Sequence, residues 1–284
     1  METAKTEPGK ARTGLRGARL ICTALVAVLL VATVVVCLAR MRSGRRGVPL
    51  DSRSLSRIQE FPGIVLWAWE RPEDLSFIDT RKVGVAFLAE TIHLKGNQVI
   101  VQPRFQPLKL PPETKIMAVA RIEVDRSKSP ALSEAQIEKA ALFIASLAQI
   151  HDVSAIQIDF DAKTSARPFY RELLLDVRRR LPREVPLSIT ALASWCIYDN
   201  WLSDLPVDEA VPMLFRMGAD TKQVLMHFES GGDFHTRPAM HSLGISVDEP
   251  IANLPAGRRV YVFNPKPWSQ ADLTTVISEV TEWH

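Results

Sequence analysis

Asp159 and Asp161, one residue apart, have the type and spacing in this chain that most directly suggest chemistry. They close the run Ala155-Ile156-Gln157-Ile158-Asp159-Phe160-Asp161, where apolar and polar side chains alternate with the period of a β-strand. One face of that strand is apolar, and the other carries an amide and two carboxylates. Neighbouring carboxylates drive each other's pKa values apart, so one can hold a proton while the other is ionised. Residues two apart on one strand face have Cα atoms roughly 6.6 Å apart, a separation compatible with either stereochemical route of glycoside cleavage. The structural alternative is a buried polar cluster in which Asp159 pairs with Arg216 or hydrogen-bonds Ser188 and Thr190, because an unpaired ion inside a protein is costly.

The elements around this run decide which interior the carboxylates face. Residues 187–195 and 115–125 read as strands on either side of it, separated from it by helical patterns. Alternation of this kind places a strand inside a parallel sheet covered by helices. Residues 61–70 and 84–94 are earlier strands, and Gly96-Asn97 is a turn signal before residues 98–102. Ser133 and Gln136 fit a capping box for a helix carrying Ile137, Ala141, Ile144 and Ala148. A second helix starts near Arg167, with Phe169, Leu173, Leu174, Val177 and Leu181 as its apolar stripe. Strands follow at 210–217, 242–247 and 259–264, with a helix at 221–228 and a closing one from Ser269 to about Trp283. About eight strands alternating with helices predict a (β/α)8 TIM-like barrel. An open doubly wound sheet is the alternative, but no GxGxxG or P-loop pattern follows any strand.

In such a barrel, chemistry sits where strands end. The expected ends deliver Trp69 and Glu70, Glu90, Asp125, Asp159 and Asp161, Trp195 with Tyr198 and Asp199, Arg216, Asp248 and Glu249, and Asn264 with Trp268. The expected catalytic set is Asp161 as general acid, Asp159 as its deeper partner, and Glu249 or Glu70 as the second carboxylate across the mouth. The expected substrate-binding set is Trp67, Trp69, Glu70, Trp195, Asp199, Arg216, Asp248 and Asn264. Tryptophan rings suit stacking on a sugar face, so a carbohydrate is the expected ligand. A phosphorylated one would call for glycines at a helix N-terminus and more basic residues. No metal or cofactor is expected: Cys196 is alone in the domain, and the six histidines show no HExxH-like pairing.

The charge balance argues against a nucleic-acid partner, and none is expected. The net charge is +3, yet residues 1–50 hold nine Lys/Arg against two acids, so the remaining chain is mildly acidic. Residues 20–38 are 19 residues without a charge, enough to span roughly the hydrocarbon core of a bilayer. The expected organisation is a basic tail (1–19), a single transmembrane anchor (20–39), a basic linker (40–58) and the barrel (59–284). The anchor is read as uncleaved, although Cys37-Leu38-Ala39 would pass as a cleavage site. Lys and Arg flank it almost evenly, and the barrel is placed outside the cytoplasm.

Three stretches carry a resemblance: Ile156-Gln157-Ile158-Asp159-Phe160-Asp161, Pro186-Leu187-Ser188-Ile189-Thr190-Ala191-Leu192, and Val247-Asp248-Glu249-Pro250. Over about residues 60–270 the chain resembles an uncharacterised bacterial family with a glycoside-hydrolase-like TIM barrel. That resemblance implies the fold and no assigned reaction. Asp159-Phe160-Asp161 also looks like the D-x-D part of the family-18 chitinase strand motif. Lys163 stands where that motif has its acidic proton donor, and Ala155 and Gln157 do not supply its earlier aspartate. The expected function is therefore a membrane-anchored, glycoside-hydrolase-like barrel acting on a glycan. The alternative is a non-catalytic, membrane-tethered glycan-binding or scaffold module. Convergence of Asp159, Asp161 and a third carboxylate in an open pocket favours the enzyme; an Arg or Lys seated among them argues against it.

Overall fold

A computed structural model describes residues 58–282. The expected tail and membrane anchor, nearly all of the linker, and Trp283 lie outside the described residues. Among the described residues no helix is long and apolar enough to cross a membrane. The strands are β1 (Ile64–Ala68), β2 (Glu73–Asp74), β3 (Val83–Lys95), β4 (Gln98–Pro103), β5 (Leu108–Lys109), β6 (Ile116–Val124), β7 (Val153–Asp159), β8 (Leu187–Leu192), β9 (Glu209–Met213), β10 (Ser242–Ser246) and β11 (Arg259–Phe263). The α-helices are α1 (Glu134–Ser146), α2 (Arg167–Arg180), α3 (Ala193–Tyr198), α4 (Thr221–Glu229) and α5 (Gln270–Glu282). Strands β1, β3 and β6–β11 pair in parallel in ring order, and β1 bonds both β3 and β11. The result is a closed eight-stranded parallel barrel of mixed α/β type. Strand β4 returns antiparallel along β3 after the Gly96-Asn97 turn, as the sequence predicts.

Two apolar layers follow from the alternation in each strand. Ile156 and Ile158 face outward and pack with Ala140, Ile144, Leu173 and Val177 of α1 and α2. Each fully buried Val, Leu or Ile side chain there contributes about 1.5–3 kcal/mol. Ser133 and Gln136 form the predicted capping box of α1. Val65, Trp67, Ala86, Met117, Val119, Ala155, Val211 and Tyr261 face inward and fill the barrel. Gly244 is required by this filling, since a Cβ there would stand 2.9 Å from the Trp67 ring.

A polar column runs down the inside. The Trp67 indole donates to Gln157 Oε1 at 2.9 Å, and Gln157 Nε2 donates to Ser188 Oγ at 3.2 Å. Ser188 Oγ donates to Glu209 at 3.0 Å, and Glu209 also accepts from Tyr261 at 2.6 Å and from Arg259 at 2.7 Å. The polar face of β7 thus points into the barrel interior, and its amide is satisfied there.

Several strand boundaries differ from the sequence reading, two of them at the site. Residues 187–195 are not one strand: β8 stops at Leu192 and α3 begins at Ala193. Buried Ala193, Trp195, Cys196 and Ile197 continue the apolar signal into that short helix, which packs on the helical side of the sheet. The strand read at 210–217 is Glu209–Met213, so Phe215 and Arg216 belong to the rim.

Candidate functional site

Asp159 is the last residue of β7 and lies beside Arg121 of β6 in the strand register. Thr190 of β8 donates to its Oδ1 at 2.7 Å, and Arg121 Nε stands 3.9 Å from its Oδ2. Only 16% of its side chain is exposed. Burial raises its pKa to about 6, with the Thr190 hydrogen bond and Arg121 opposing and Asp161 and Glu123 adding to the rise. The predicted pairing with Ser188 is replaced, because Ser188 serves Gln157 and Glu209 deeper in the column. Arg121, not Arg216, is the nearby cation.

Arg121 organises this side of the mouth. Its Nη1 binds Glu70 at 2.6 Å, its Nη2 binds Glu123 at 3.0 Å, and its guanidinium lies 5.8 Å over the Trp69 ring. Glu123 in turn meets His93 Nδ1 at 3.3 Å. Asp161 lies beyond the end of β7, so the two aspartates do not share one strand face as the sequence spacing suggested. Much of the residue meets solvent, but the pocket wall partly desolvates its carboxyl and raises its pKa, with Arg121 opposing that rise. Asp159, Asp161 and Glu123 line one open pocket of about 620 Å³, together with Arg121, Arg126 and Lys163.

Glu249 is elsewhere. It follows β10, three strands further round the ring, and its carboxylate accepts the Arg216 backbone N–H at 2.8 Å. Arg216 Nη2 meets Asp248 at 3.2 Å, and Ser246 donates to the other Asp248 oxygen. Arg216 is itself held at φ 53°, a left-handed conformation that costs a non-glycine residue about a kilocalorie or more. The Glu249 bond to its N–H helps to hold that turn.

The aromatic predictions divide. Trp69 is at the mouth and half-buried. Trp67 is sealed in the barrel beneath it and touches no open surface. Trp195 is buried against Trp201, ring centroids 5.2 Å apart, on the helical side of β8. Asp199 is bound to Arg167 at 2.5 Å and caps the Trp201 N–H, so it braces that same cluster. Asn264 is buried and accepts from the Lys266 N–H at 2.9 Å, which makes it a turn residue.

Phe215, Phe263 and Arg121 were absent from the expected rim, and Glu90 was expected there only as a strand end. Phe215 and Phe263 stack with centroids 5.5 Å apart and planes 5° from parallel. Trp69 meets Phe263 edge-on at 6.3 Å, and the Arg216 guanidinium lies 5.0 Å over Phe263. Arg121 was legible as the inward partner of Met117 and Val119 on β6. Glu90 follows a β-bulge between Leu88 and Glu90 that adds a residue to β3. Leu88, Glu90, Thr91 and His93 line a second pocket of about 260 Å³, while Ile92 and Leu94 turn into the helical layer. Glu90 is 6% exposed, its Oε1 has no hydrogen-bond partner, and burial pushes its pKa up to about 7.

Among the described residues no group of His, Cys, Asp and Glu is arranged to hold a metal ion. No curated protein matches the chain. Residues 113–215 match a family described as a domain of unknown function (DUF3142), and that stretch carries Arg121, Glu123, Asp159, Asp161, Thr190 and Phe215 while ending before Glu249 and Phe263.

Proposed function

We propose that the barrel binds a glycan across its C-terminal rim. The observation that carries this reading is the half-buried aromatic surface of Trp69, Phe215 and Phe263, flanked by Arg121 and Arg216. Aromatic faces accept the apolar face of a sugar ring. The arginines and their carboxylates Glu70, Glu123, Asp248 and Glu249 present donors and acceptors for hydroxyl groups. Residues 20–39 tether the barrel to a membrane on the non-cytoplasmic side, where extended glycans are met.

Binding is favoured over cleavage because Arg121 sits among Glu70, Glu123 and Asp159. A neighbouring cation favours the ionised form of a carboxyl and so works against a proton donor. Glycoside cleavage is the second reading, and one observation supports it. Asp159 and Asp161 share an open pocket and both have raised pKa values, so Asp161 would act as acid with Asp159 as its deeper partner. Glu249 lies too far round the ring to complete that pair.

The test is binding and hydrolysis of a glycan panel by the full chain in a non-glycosidic detergent, beside Trp69→Ala, Asp159→Asn and Asp161→Asn. Trp69→Ala is expected to weaken binding about tenfold. Product formation lost in both aspartate variants would replace binding by cleavage. Absence of any glycan binding would overturn both readings.

A further inference from the structure

The pocket of about 260 Å³ beside the aromatic surface contains a group that the glycan reading does not use. Glu70, Glu90, Glu123 and His93 line it, and three of these four are already engaged. Glu70 and Glu123 are bound to Arg121, and His93 is bound to Glu123. Arg104, also in the wall, spends its guanidinium on the backbone carbonyls of Trp69, Arg71 and Gln106. Glu90 is the exception: it is 94% buried, counting from its 6% exposure, and its Oε1 is left without a donor.

A buried polar atom without a partner costs about 1–3 kcal/mol, and a charged one costs more. Here such a group stands in the wall of a polar pocket. A hydroxyl entering the pocket would give Glu90 one neutral hydrogen bond. A protonated amine would give it a charge-assisted one, and the two engaged carboxylates would add long-range attraction. The other walls supply hydroxyl and amide groups from Thr91, Gln102 and Gln106.

Resting on the glycan-binding reading, we infer that this pocket is a subsite for the free amino group of an amino sugar, with Glu90 as the specificity-determining residue. Neutral sugars occupy the aromatic surface without filling the pocket. N-acetylation abolishes the preference, because it removes the charge and adds bulk.

Three tetrasaccharides with the same linkage test this by titration calorimetry on the full chain in a zwitterionic detergent: β-1,4-linked glucosamine, N-acetylglucosamine and glucose. They differ in one substituent per ring. The glucosamine tetramer is expected to bind at least about tenfold more tightly than the other two. Glu90→Gln, close to isosteric, is expected to erase that difference while leaving the glucose tetramer unchanged. Glu90→Asp, which keeps the charge, is expected to retain part of the preference, and thermal melting checks that each variant is folded. Equal binding of all three tetramers, or an equal loss for all three in Glu90→Gln, would overturn the inference. If Trp69→Ala weakened the glucose tetramer in that case, the glycan reading would stand without it. Binding of none of the three would remove the subsite and the glycan reading together.

Discussion

Replacing Glu90 by Gln removes a carboxyl that burial holds at a pKa of about 7, against 4.5 for an ordinary glutamate. Between those two values the unfolded chain has released its proton and the folded barrel still keeps it. The folded state therefore binds more protons, and stability falls as pH rises through this window. The loss is complete above the folded-state value and absent below the unfolded one. A displacement of that size is worth about 3 kcal/mol, and at 6% exposure the side chain has little solvent to screen it. Glu90→Gln lacks this term, so it should match the native chain near pH 4.5 and exceed it by up to about 3 kcal/mol at pH 8. Urea denaturation of both proteins in the same detergent, at pH 4.5, 6 and 8, measures the difference directly. Asp159 has the same sign of pH dependence, but it is present in both proteins and cancels. A variant whose stability runs parallel to the native chain across the three pH values would refute the reasoning. It would mean that Glu90 is solvated or paired in solution and is not the orphaned acid described above.

Two further predictions concern what holds the barrel together. Gly244→Ala drives a methyl to 2.9 Å from the Trp67 ring and is expected to cost about 1–3 kcal/mol in denaturant; an unchanged midpoint would mean that the ring has room to move. Glu209→Gln leaves Arg259 uncompensated, with 10% of its side chain exposed, and is expected to cost about 3 kcal/mol or more. A loss below 1 kcal/mol would show that water or the neighbouring carbonyls satisfy the guanidinium.

The barrel was legible because period-2 and period-3.6 apolar patterns alternate along the chain, and each pattern reports burial directly. Asp159 was legible for the same reason: alternation through Ile156, Ile158 and Phe160 puts it on the inward face. Asp161 was misplaced because alternation does not reveal where a strand stops, and β7 ends one residue after Ile158. The extension of 187–195 past Leu192 failed in the same way, since buried Trp195 looks identical in a strand and in a short packed helix. Glu90 was read only as a strand end, because a bulge leaves no mark in composition and shifts every later side chain of β3. Phe215 and Phe263 were passed over for tryptophans, although three of those, Trp67, Trp195 and Trp268, proved to be core. Which aromatics reach the surface depends on radial position in the ring, and a sequence carries that only after the strand ends are known.

The state of Asp159 bears on whether the rim serves stability alone. It tops a column in which Trp67, Gln157, Ser188, Glu209, Tyr261 and Arg259 are mutually satisfied, and Thr190 supplies its own hydrogen bond. An asparagine at 159 would accept the Thr190 bond equally well and would carry no charge to desolvate. The aspartate, by contrast, has a pKa raised to about 6, so its ionisation near neutral pH opposes folding. Arg121 does not reverse this, because it stands 3.9 Å away and is shared with Glu70 and Glu123 at shorter range. A charge held at a net cost on the edge of an open pocket is not accounted for by the fold. The ligand we propose at the mouth would account for it, since a donor or cation brought to the pocket would offset the cost of the buried carboxylate.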